Sequence, residues 1–238
     1  DDFRKFVQMH PAGSYKQTCD LNLSGLKAQT GGAIVNAAGE PFKGVYDGGG
    51  HKITGLTLND TNTGSKAALF HTISGTVKNL TIDNSCSFTA RQWVGSFALY
   101  LKDGGKLDSC TNLASVTCKP SGTVDGTVNC FAGGLVALTD GSTWASAQNQ
   151  IVNCRNDGSV TVVPDVDKDG RPIGNFASAG GLVGGPANVK ISQSVNTGAV
   201  SNEASMQNYY GMDGNCTGGL VGQIDPNSAF GVKTEIIG

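Results

Sequence analysis

Short apolar runs alternate with turn-forming residues along the whole chain, and three of the runs are nearly identical. Ala132-Gly133-Gly134-Leu135-Val136 returns as Ala179–Val183 and, with one change, as Thr217–Val221. Aligning Val94–Leu99 with them puts Gly95, Gly133, Gly180 and Gly218 in register, at spacings of 38, 47 and 38 residues. Ala67–Ile73 is an earlier, degenerate copy. A second motif follows each after a variable loop: Leu107–Thr117, Ile151–Thr161 and Ile191–Ser201, with a looser version at Val77–Thr89. Gap-free alignment equates Cys110 with Cys154 and Ser194, Asn112 with Asn156 and Asn196, and Val116 with Val160 and Val200. Each unit therefore carries three strand candidates: the glycine-pair strand, the I-x-x-C strand, and the strand around S/G-x-V.

Strands this short form no stable sheet alone, but repeated units stacked on one another bury a continuous interior. Constant strand motifs with variable spacing predict an all-β, right-handed parallel β-helix of three strands per coil and about five to six coils, forming one domain over 1–238. Adjacent glycines permit a sharp corner, including positive φ, where coils pass at strand spacing. Leu69, Phe97, Leu135, Leu182 and Leu220 are expected to stack inside, and Asn112, Asn156 and Asn196 to form an amide ladder at a turn. Cys110 and Cys154 fit as small buried apolar residues. Residues 15–66 are the first coils, 67–223 the repeats and 224–238 a last partial coil. Phe3, Phe6 and Val7, at helical spacing, suggest an amphipathic cap over residues 1–14. The apolar ending FGVKTEIIG carries no polar cap, so another coil, domain or partner chain is expected to follow.

The segment Phe42–Asn59, FKGVYDGGGHKITGLTLN, followed by ALF…ISGTVKNLTI and the glycine-pair repeats, resembles the GLUG-motif β-helix proteins of bacterial surfaces, notably of gut Bacteroidetes. The resemblance runs from about Tyr15 to Gln223. It implies a right-handed parallel β-helix on an exported, often lipid-anchored protein, and it implies no catalytic residues.

Composition agrees with the pattern: 35 glycines and only 15% charged residues favour short strands and many turns. A net charge of −2, with no block of Lys or Arg, leaves no footprint for nucleic acid. No apolar run approaches the roughly 20 residues that span a bilayer, and no signal-peptide core is present. The expected location is extracellular, with the signal segment removed and membrane attachment only through an anchor outside this chain. The seven cysteines are odd in number and irregularly spaced, which disfavours a zinc site or a complete disulfide framework. Cys130 and Cys216 share a position just before a glycine pair, and free buried thiols are the expectation for them.

Enzymes on β-helices cleave polysaccharides with carboxylates clustered on one face of adjacent coils. Here the aligned strand positions offer only Asp108, whose equivalents are Val152 and Ser192, and GGGH at Gly48–His51 reads as a turn. His10, His51 and His71 read as structural. The chain is expected not to be an enzyme and to need no cofactor. Asp165, Asp167 and Asp169 in DVDKDG reproduce half of a calcium loop, but Phe176 stands where the bidentate Glu belongs. Ca²⁺ there competes with a plain hairpin turn at Asp169-Gly170. The loops Ala90–Trp93, Lys119–Phe131, Pro164–Ser178 and Asn202–Cys216 all leave one corner and must gather on one flank. That flank collects Arg91, Trp93, Arg171, Tyr209 and Tyr210, a set suited to a glycan or a surface protein. The reading is a non-catalytic, adhesin-like surface module. The alternatives are a polysaccharide lyase or glycoside hydrolase using the Asp165–Asp169 loop with Asp108, Asp140 and Asp213, and a structural stalk.

Overall fold

The computed structural model describes residues 7, 9–36, 40–62, 64–120, 129–140, 147–163, 165–166, 172–173, 176–203, 215–222 and 234–237; of 165, 166, 172, 173, 176 and 215 it describes the backbone only. The chain is all-β and winds as a parallel solenoid. Among the described residues, successive coils deposit strands on four long sheets, and every ladder is parallel apart from a hairpin between Asp165–Val166 and Pro172–Ile173. Sheet I has seven described strands, from Ser14–Lys16 to Glu235–Ile237, and includes Lys106–Asp108. Sheet II has six, from Leu21–Asn22 to Val195–Asn196, and sheet III five, from Thr57–Asn59 to Val200–Asn202. Sheet IV has nine and is creased lengthwise. The register pairs Leu107 with Ile151, Asn112 with Asn156, Val116 with Val160 and Gly133 with Gly180, as the aligned motifs require.

Two bends divide what the sequence pattern presents as single strands, so a unit such as 93–118 contributes five short strands rather than three. The first bend lies inside the I-x-x-C motif. Asn79, Ser109, Asn153 and Gln193, its third residue in successive coils, adopt φ of 50° to 55° and turn the chain from sheet I to sheet II. Asparagine tolerates this left-handed region better than most residues, which suits it to two of the four positions. In the earlier coil the same corner is made by Gly49 and Gly50, at φ 62° and 81°.

The second bend is the glycine pair. Asn129–Gly133 ends one limb of sheet IV and Val136–Asp140 begins the other. Contrary to expectation, φ is not positive at Gly133, Gly134, Gly180 or Gly181. Glycine is required there by close approach. A Cβ on Gly134 would lie 2.1 Å from the Gly181 carbonyl oxygen and 2.5 Å from Asn156 Cγ, and one on Gly181 would lie 2.0 Å from the Gly219 oxygen and 2.4 Å from Asn196 Cγ. The crease thus presses inward until it meets the asparagine ladder on the other side of the coil.

That ladder is continuous. Asn112 Nδ2 donates to Asn156 Oδ1 at 2.7 Å, and Asn156 Nδ2 to Asn196 Oδ1 at 2.8 Å. Each amide also donates to the carbonyl two residues on, at Ala114, Gly158 and Gly198, all at 2.9 Å. Buried amides are stable only when so satisfied. In the preceding coil the ladder position is Ile82, and there the strand Lys66–Ile73 runs uninterrupted through the place where later coils crease. Asparagine ladder and glycine crease begin together.

The interior beside this pinch is apolar. Leu69, Phe97, Leu135 and Leu182 stack fully buried, with Leu220 partly buried beyond them. Cys110 and Cys154 are buried, and Ser194 continues their column, its Oγ accepting from Cys154 N at 3.0 Å. At the first end Val7 is buried and helical while Met9 is exposed; the rest of the expected cap lies outside the described residues.

Cys130 corrects the thiol expectation. It forms a disulfide with Cys118, Cα atoms 6.6 Å apart, whereas Cys19, Cys86, Cys110, Cys154 and Cys216 remain thiols. Cys118 ends a strand of sheet III and Cys130 lies in the next strand of sheet IV, so the bond ties off the loop between them. Alignment of the repeats matches Cys130 with Cys216 across coils and hides Cys118, which stands at the other end of the same loop.

Candidate functional site

The corner from sheet III to sheet IV carries the long loops, and a cluster of large side chains occupies it in the earlier coils. Lys66, Trp93 and Phe131 occupy one column of sheet IV, pointing away from the interior, while Tyr100 lies across the crease on the other limb. Lys66 Nζ sits 3.8 Å from the centroid of the Trp93 ring, and Tyr100 meets that ring edge-on with centroids 5.1 Å apart. His71 packs 6.0 Å from Tyr100 with its Nδ1 3.0 Å from Thr72 Oγ1. Trp93 Nε1 is buried and, among the described residues, has no hydrogen-bond partner. This crease filling shrinks along the solenoid: Trp93 with Tyr100 gives way to Phe131 with Leu138, then to Ser178, whose Oγ donates to the Gly184 carbonyl at 2.7 Å.

Burial governs the electrostatics of the cluster. It lowers the Lys66 pKa, since the ammonium is half removed from water. His71 is lowered first by burial and then by the nearby Lys66 charge, which favours neutral imidazole. The Tyr100 hydroxyl is pushed up to about 12 by burial, with Asp140 adding to it. Asp140 itself pairs with Lys102 at 2.9 Å. Among the described residues, no carboxylate lies within ion-pair distance of Lys66; the Trp93 ring face is its neighbour instead.

Two hollows meet at Lys66. One, of about 450 Å³, lies between Leu26–Ala28 and Thr57–Asp60. The other, of about 200 Å³, continues past Lys66 between Gln29–Gly32 and Gly64-Ser65. Asp60 lines both, its carboxylate accepting from the backbone and side chain of Asn62 at 2.9 and 2.8 Å. The lining is rich in hydroxyl, amide and charged groups.

Of the residues singled out from sequence, Arg91 and Trp93 share this corner. Arg91 is committed to bracing it: Nε donates to the Thr61 carbonyl, and the backbone N–H to Ser65 Oγ at 3.0 Å. Arg171, Tyr209, Tyr210, Asp167 and Asp169 lie outside the described residues, and so does Asp213. Asp165 is placed only as backbone, in the hairpin strand opposite Ile173. Asp108 pairs with Lys106 at 2.8 Å, which, ahead of a hydrogen bond from Ser109, holds its pKa below the ordinary value. A general acid needs the opposite shift. Among the described residues, no group of three His, Cys, Asp or Glu side chains could hold a metal ion.

Sequence reasoning missed Lys66, Tyr100 and Asp60. A signal for Lys66 existed, because it precedes Ala67 as Trp93 precedes Val94, and the two positions therefore share a column. Nothing in the pattern reveals that the outer faces of two limbs close on each other across the crease.

No protein-family model matches the chain, and no curated protein matches it. Among solved structures it is similar to the crystal structure of a putative immunoglobulin A1 protease from Bacteroides ovatus, with a TM-score of 0.64 at 20% identity over 95% of this chain. The chain spans 58% of that protein's length. At this identity the likeness is one of fold, and it agrees with the parallel solenoid.

Proposed function

We propose that the chain is a non-catalytic binding module of an exported bacterial surface protein, of the GLUG-motif β-helix kind, which engages a glycan or protein ligand on the flank where sheets III and IV meet. The observation that carries this reading is the pair of polar hollows meeting at Lys66, beside Trp93 and Tyr100 and bordered by the loop-bearing corner. Aromatic rings with a half-buried cation and several amides are the means by which such surfaces hold a ligand without chemistry. The winding is taken as right-handed on the general rule for parallel crossovers. Of the carboxylates that the enzymatic alternative would use, Asp108 and Asp140 are each engaged by a lysine.

Attachment to the cell surface, through an anchor outside this chain, belongs to the same proposal. No cofactor is required by it, and Ca²⁺ enters only through the Asp165–Asp169 loop. The test is calorimetry against glycan and peptide panels, with and without Ca²⁺, on the wild type and on Lys66→Met and Trp93→Phe. Binding that weakens in both variants while the circular dichroism spectrum stays unchanged supports the flank. Release of reducing ends, unsaturated sugar or cleaved peptide overturns the non-catalytic reading, and absence of any ligand favours a structural spacer.

A further inference from the structure

Sheets I, II and IV each begin with a strand from the first coil: Ser14–Lys16, Leu21–Asn22 and Ala33–Val35. Sheet III does not. Its first strand is Thr57–Asn59, from the second coil, and the first-coil segment Leu26–Ala28 forms no ladder with it. The larger hollow lies in the place of the missing strand.

The backbone of Thr57–Asn59 is oriented for such a strand. Toward its one neighbour, Ser87 N donates to the Leu56 carbonyl at 2.9 Å and Asp60 N donates to the Thr89 carbonyl at 3.0 Å. In a parallel ladder alternate residues turn their N–H and C=O to opposite sides. Thr57 and Asn59 therefore direct theirs into the hollow. Both residues are exposed, and among the described residues no hydrogen bond reaches them from the first coil. Unpaired edge groups repeat along a strand at the spacing of another strand's backbone, which a polypeptide matches and a sugar chain does not.

We propose, on the binding-module reading above, that this slot accepts an extended segment of a partner protein, which adds as a strand to the free edge of sheet III and seats a carboxylate against Lys66. Lys66 stands at the end of the slot, half-buried and, among the described residues, without an anionic partner, where an acidic side chain or C-terminus would complete it. The second hollow lets the segment continue past Lys66. An edge of three residues is too short to template aggregation, so recognition depends on the side chains as well as the backbone.

The experiment selects ligands from a random-peptide display library and titrates the synthetic hits by tryptophan fluorescence and calorimetry. Acidic hits are expected, with affinity falling about tenfold on loss of one edge hydrogen bond, either through Thr57→Pro or through a single N-methylated amide in the peptide. N-methylation leaves the protein untouched, so the result stands even if Thr57→Pro fails to fold. Lys66→Met should remove the preference for acidic hits. Peptides that bind regardless of N-methylation overturn strand addition. Binding of an acidic oligosaccharide but of no peptide overturns this inference and leaves the binding-module reading intact, whereas binding of neither overturns both.

Discussion

Gly134 and Thr57 mark opposite extremes of packing on one solenoid. At Gly134 the backbone of the next coil and the Asn156 amide leave no room for a methyl group. At Thr57 a hollow of about 450 Å³ lies beside unpaired edge groups of the backbone. The pinch between crease and asparagine ladder recurs in successive coils because each amide, bonded within its own coil, is completed by the one above or below it. The edge at Thr57 lies where the first coil supplies no strand to sheet III. Repetition thus follows mutual dependence between coils, and departures from it mark surfaces free to serve something else.

The largest expected effect breaks the pinch. Asn156→Ala orphans the Asn112 donor and the Asn196 acceptor, both previously satisfied at 2.7–2.8 Å, and should cost about 4 kcal/mol in urea unfolding. Gly134→Ala forces the next coil away and should cost about 3 kcal/mol. The double variant tests whether the two are one device. Its cost should fall below the sum of the singles by about 1 kcal/mol, because the new methyl enters the space the amide vacated. Full additivity would separate crease from ladder.

A smaller effect sharpens the other side of the comparison. The His71 pKa is lowered in the folded chain, so the unfolded chain takes up the proton first as pH falls. Stability from neutral His71 is present above the unfolded value of about 6.5 and is lost as pH drops from there through the folded value. The difference in stability between wild type and His71→Gln should therefore shrink or reverse between pH 7 and pH 5, followed by chemical denaturation at each pH. Thiol labelling should change least. In the folded protein Cys19 and Cys216 should react with a maleimide, and Cys86, Cys110 and Cys154 only on unfolding, as their burial requires.

The coil register was legible because the repeated glycines, asparagines and cysteines are each tied to a neighbour of the same kind. The αL bends at Asn79, Ser109, Asn153 and Gln193 were hidden, since Asn, Ser and Gln read equally well as outward strand positions. The reason for the glycines was hidden too: a positive φ and a close approach leave the same letter in the sequence. Of the candidate site, Arg91 and Trp93 were legible from the shared loop corner. Lys66 and Tyr100 were not, because their meeting depends on how far sheet IV folds at its crease.

Amide hydrogen exchange, resolved by residue, tests the contrast between the closed and open corners most directly. The account predicts strong protection at Ala114, Gly158 and Phe97, and exchange at Thr57 and Asn59 close to the rate of an unfolded chain in the free protein. Protection of Thr57 and Asn59 equal to that of their neighbour Leu58 would show that the slot is already filled, and would contradict the account.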